Sequence, residues 1–84
     1  MKYYLIFTSW TEAIKKVSFV SLLRERTGMS FLSSKRVLEA ILLEEEIILE
    51  MSGEASAKQL RKEALKLGVK SKVIVVGNRQ SAAA

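Results

Sequence analysis

The hydrophobic pattern changes period several times along the chain, and each change predicts an element. Tyr3 to Thr8 (YYLIFT) is a run of aromatic and β-branched side chains and predicts a strand. From about Glu12 to Thr27 apolar residues recur at helical spacing, and Gly28 suits the left-handed position that closes a helix. Ser30 is placed to cap a second helix from Phe31 to about Glu44. Glu46 to Met51 (EIILEM) predicts another strand, with a turn at Ser52-Gly53. Ser56 and Gln59 stand at capping-box spacing. Ala57, Leu60, Ala64 and Leu67 then form one stripe that ends at Gly68. Val69 to Val76 (VKSKVIVV) alternates and then becomes fully apolar, as a well-protected strand does.

The predicted order is β-α-α-β-α-β, an α+β fold. Strands this short cannot enclose a two-sided core, whereas helices covering one face of a small antiparallel sheet can. Residues 1–76 are read as one domain and 77–84 as a flexible tail. The sheet's open face needs polar cover or a partner, and Tyr3, Tyr4 and Trp10 lie near it in sequence.

Composition narrows the chemistry. The chain has 84 residues, with neither Cys nor His. That excludes a disulfide framework and thiolate metal sites, and leaves only carboxylates for a zinc site. General acid–base work near neutral pH would require a strongly shifted Glu or Lys. No catalytic residue, metal ligand or cofactor site is therefore assigned. MKYYLIFTSW lacks the pattern of a secretory signal. No apolar run approaches the roughly 20 residues needed to cross a bilayer. A cytoplasmic protein without a membrane partner is expected. The formal net charge is +5, and residues 1–40 hold seven Lys/Arg against three Glu.

Projecting the first helix at about 100° per residue turns Phe19, Leu22 and Leu23 toward the core. Ser18, Ser21, Arg24 and Glu25 occupy the opposite arc. Val17 falls inside that polar arc, and Val20 sits on its border. An apolar spot with a rim formed by Lys16 and Arg24 results. Two uses are open to it: cover beneath a neighbouring element, or a binding surface. On the second helix Ser34, Val37, Leu38 and Ile41 form the core stripe, and Lys35 lies outward toward the first helix's rim.

The stretch KKVSFVSLLRERTGMSFLSSKRVLE resembles the C-terminal domain of the bacterial ribosomal stalk protein. That family has a Lys-Val pair opening a helix, a following Arg, a Thr-Gly joint and a helix with an inner Lys. Lys16-Val17, Val20, Arg24, Thr27-Gly28-Met29 and Lys35 keep that order without a gap. SGEASAKQLRKEALKLGVKSKVIV is similar to the family's last helix, glycine and closing strand, so the likeness spans roughly residues 3–76. The resemblance implies a three-stranded antiparallel sheet with three helices on one side, and non-enzymatic protein binding. It further implies recruitment of a translational GTPase, or attachment to the ribosome, through Lys16, Val17, Val20, Arg24, Gly28 and Lys35. There are departures. Ser21 and Leu32 stand where the family has Lys, and Ser30 replaces the joint's second glycine. The stalk protein's N-terminal dimerisation region and hinge have no counterpart, so a stand-alone relative or an excised domain is expected.

Other functions compete with that reading. A basic helical face fits a nucleic-acid module, with Tyr3, Tyr4 and Trp10 as stacking platforms. Such strand aromatics are more often core, and no arginine-rich helix or Gly-x-x-Gly clamp is present. A Clp-protease-adaptor-like protein would need an acidic, amine-binding pocket, which the basic face does not offer. Leu32, Leu43 and the open sheet face provide apolar surface for a homodimer.

Overall fold

The computed structural model describes residues 1–77 and has the α+β architecture and element order expected. The elements are β1 (Lys2–Trp10), α1 (Lys16–Thr27), α2 (Phe31–Leu42), β2 (Ile47–Met51), α3 (Glu54–Lys66) and β3 (Val69–Val76). Of the tail expected over 77–84, all but Gly77 lies outside the described residues.

The sheet is antiparallel in the order β2-β1-β3, so the first strand is central. Leu5, Phe7, Met51 and Val69 point to its inner face and are buried. α2 lies over β1 and β2, α3 lies over β1 and β3, and α1 packs against both helices. Phe19 reaches from α1 to Phe7 as an edge-on ring pair, with centroids 5.5 Å apart. Leu22 and Leu23 of α1, Leu38 and Ile41 of α2, and Ala57, Leu60 and Ala64 of α3 complete the core. Ser34 is also fully buried there, its hydroxyl without a hydrogen-bond partner.

Register shifts between Phe7 and Ser9, where β1 carries one residue more than β3. Thr8 occupies this bulge and its hydroxyl donates to the Lys70 carbonyl at 3.3 Å. A bulge exchanges the faces of the residues that follow it. Trp10 therefore turns inward and packs on the core rather than lying on the open face. Tyr3 packs on the core as well, which leaves Tyr4 as the open-face aromatic.

Several local expectations are corrected. The first helix begins at Lys16, not near Glu12. Residues 11–15 are held against the α3–β3 turn instead: Thr11 N–H donates to the Gly68 carbonyl at 2.9 Å, and Lys15 N–H to the Leu67 carbonyl at 2.8 Å. Those tertiary bonds take backbone groups that an earlier helical turn would have used. The third helix begins at Glu54 behind Gly53, so Ser56 does not cap it, and its hydroxyl pairs with that of Ser52 at 2.9 Å. β3 is an edge strand, and its apolar end at Val75 and Val76 is exposed rather than protected.

Gly68 makes this arrangement possible. Its φ is +91°, and a Cβ built on it would stand 2.6 Å from the Ile14 Cα and 2.8 Å from the Ile14 nitrogen. Gly28 is also left-handed, with φ +77°, but open space surrounds it. Gly28→Ala is thus expected to cost about 1 kcal/mol of conformational strain. Gly68→Ala adds a backbone collision and is expected to cost about 2–4 kcal/mol. Thermal melts of the two variants check this, and equal losses would contradict the close-approach account.

Candidate partner-binding groove

The joint between the first two helices is fixed by local hydrogen bonds. Gly28 N–H donates to the Arg24 carbonyl at 3.1 Å and closes α1 in the left-handed conformation. The Thr27 hydroxyl donates to the Leu23 carbonyl at 2.6 Å and accepts from Met29 N–H at 3.2 Å. The Ser30 hydroxyl caps α2 by accepting from Ser33 N–H at 3.1 Å. A glycine, two hydroxyls and short backbone bonds thus set how α2 returns along α1.

That return creates a groove of about 200 Å³ between the helices. Lys16, Val17, Val20, Ser21 and Arg24 line one wall; Phe31, Lys35 and Leu38 line the other. On each helix these positions recur every three or four residues, so each wall is a helical stripe. Val17 is 81% exposed, whereas Val20 and Leu38 are buried and form the floor. Val17 therefore covers nothing within the domain. Phe31 is more than half exposed, and the Arg24 guanidinium lies 5.7 Å from its ring centroid. That is within cation–π range, and it holds the cation at the groove's edge.

The electrostatics are one-sided. No carboxylate lines the groove, and among the described residues Lys16, Arg24 and Lys35 have no ion-pair partner. α1 opens on Lys15 and Lys16, without a side-chain cap and without an acid in its first turn. Both choices oppose the helix dipole, whose positive end favours anions. They cost helix stability and concentrate positive potential at one end of the groove. Arg26, on the same helix, is different. It forms two hydrogen bonds with Glu63 of α3, at 2.8 and 2.7 Å, so its charge is satisfied within the domain.

Five of the six expected binding residues, Lys16, Val17, Val20, Arg24 and Lys35, line this groove. Gly28 does not. It is exposed beyond the groove, and its contribution is the turn. Sequence reasoning missed Phe31, Ser21 and Leu38. Phe31 and Leu38 share a stripe with Lys35, and an aromatic directly after the cap residue was the readable signal.

The lining offers little for catalysis. The chain has no imidazole, and no carboxylate lines the groove to act there as a base for Ser21. Among the described residues no cluster of metal-ligating side chains occurs, and no helix is long and apolar enough to cross a membrane. No protein-family model, curated protein or solved structure matches the chain.

The Arg26–Glu63 pair ties the end of α1 to α3 and has a pH signature. The hydrogen bonds from Arg26 hold the Glu63 carboxyl below its ordinary value of 4.5, against the opposing effect of desolvation. Its stabilising contribution is therefore fully present above about pH 4.5 and is lost as pH falls through the lower folded-state value. Melting of wild type and Glu63→Gln should differ at pH 6, and the difference should shrink toward pH 3. A difference independent of pH would assign the effect of Glu63 to packing alone.

Proposed function

We propose that the chain is a non-enzymatic protein-interaction domain that receives an acidic protein segment in the α1–α2 groove. The observation that carries this reading is Val17, an apolar side chain left bare beside a groove whose cations lack internal acidic partners. A segment with carboxylates flanking an apolar anchor would complement it, the anchor resting on Val17, Val20 and Leu38. Lys16, Arg24 and Lys35 would meet the carboxylates, and Phe31 would back Arg24. This surface coincides with the positions assigned by resemblance to the ribosomal stalk C-terminal domain. The α+β topology supports the same resemblance. By that analogy the partner is a translational GTPase or the ribosome, and the site of action is the cytoplasm. A Clp-adaptor-like role fits less well, because a basic groove repels a free amino terminus.

One observation favours a second reading. A cleft between α3 and β3 is lined by Lys58, Arg61, Lys62 and Lys72, a surface suited to a phosphate chain. Lys58 is partly committed to Glu54, and Arg61 donates to the Ser71 carbonyl, which weakens that case.

Calorimetric titration of the domain with a purified translational GTPase separates the readings. Val17→Asp and Arg24→Glu are each expected to weaken binding by about thirtyfold, equivalent to about 2 kcal/mol. The melting temperature should barely move, because exposed substitutions usually change stability by no more than about 0.5 kcal/mol. A folded Val17→Asp variant that binds at full affinity would sink the groove assignment. Binding of RNA that falls steeply with salt, weakened by Lys62→Glu but not by Val17→Asp, would transfer the function to the α3–β3 cleft.

A further inference from the structure

The sheet face turned away from the helices has an apolar centre set among Lys2, Glu50 and Lys72. The strand register places Tyr4 and Ile6 at its centre, Glu50 and Ile48 beside them on β2, and Ile74 and Lys72 beside them on β3. Tyr4, Ile6, Ile48 and Ile74 all lie outside the packed core. Ile48 is 53% exposed, and Val76 on the same face is 44% exposed. Sheets with one solvated face normally place polar residues there, and small monomers rarely leave such a patch uncovered.

The arrangement of charges identifies the occupant. Around Tyr4 and Ile6 the four neighbours form a rectangle, about 6.6 Å along the strands and about 9.6 Å across them. Glu50 and Lys72 hold one diagonal, and Ile48 and Ile74 hold the other. A two-fold axis lying in the interface perpendicular to the charged diagonal exchanges its ends, so Glu50 of each copy meets Lys72 of the other. It leaves each isoleucine about 4 Å from its own copy, beside the axis. Tyr4 of one copy then rests against Ile74 of its mate.

We propose that this face binds a second copy of the chain in an isologous packing of sheet on sheet. The strands of the two sheets cross at roughly 70°, near the orthogonal class of sheet packing. The helical layers point outward, so the α1–α2 groove of each copy stays open. Within one copy Glu50 sits 3.7 Å from Lys2, and in the dimer it lies between Lys2 and the other copy's Lys72. The face covers about 14 by 26 Å, or about 370 Å² on each copy. Two such faces fall below the roughly 1,200 Å² of a standard interface, so the dimer is weak and reversible.

Sedimentation velocity of the full chain from about 5 µM to about 1 mM tests the proposal, with monomer passing to dimer across that range. Ile48→Asp, which sets two carboxylates close to each other beside the axis, should leave monomer throughout. Glu50→Lys and Lys72→Glu should each weaken association by about tenfold or more through like-charge contacts, and the double variant should recover most of the loss. Circular dichroism melts establish that each variant is folded. Monomer at the highest concentration, association indifferent to Ile48→Asp, or no recovery in the double variant would overturn the proposal. A chain that stays monomeric but co-sediments with anionic phospholipid vesicles would overturn it too, giving the face to a lipid surface.

Discussion

The close approach of Gly68 to Ile14 is the constraint on which the rest of the domain depends. It lets the α3–β3 turn bond to residues 11–15 through Thr11 and Lys15, and so joins the two ends of the fold next to the sheet. Because Lys15 N–H is committed to Leu67, the first intrahelical bond of α1 runs from Phe19 N–H to the Lys15 carbonyl, at 2.9 Å. Where that helix starts decides which residues face inward. With the start at Lys16, Phe19 and Leu23 enter the core and Val17 is left outside. The groove is in this sense a consequence of a backbone contact made on another part of the molecule.

Much of the fold was legible because its local signals agreed with one another. β2, α2 and β3 fall within a few residues of their expected bounds, and the Thr-Gly joint closes α1 as glycine chemistry suggests. What escaped was decided by tertiary structure. The pattern from Glu12 onward looks helical, yet long-range backbone bonds take those residues away. Trp10 follows the parity of β1 only until the bulge at Thr8, and parity cannot reveal an inserted residue. Ser56 has the spacing of a cap, but Gly53 already supplies the turn into the helix. The apolar end of β3 suggested burial by neighbouring strands, although the strand lies at the edge.

The candidate site was readable in a similar way. Val17 is conspicuous because it breaks the polar arc of its own helix, and the structure leaves it bare. Phe31 stood out only as an aromatic directly after the cap residue, a signal that reads equally well as core. Only the crossing of the two helices brings it beside Arg24. Lysines at the start of α1 are the other local contradiction, an element opened in the electrostatically unfavourable way. Sequence choices that oppose the stability of their own element are expected where a surface serves something outside the fold.

The Thr27–Ser30 joint has a kinetic consequence. Both walls of the groove end on it, and its hydroxyls and backbone groups are already hydrogen-bonded. A ligand arriving there need not wait for the walls to part or for a loop to order. Capture would then proceed at the rate of oriented encounter, hastened at low salt by the uncompensated cations. Differences between competing ligands would appear in how long each one stays.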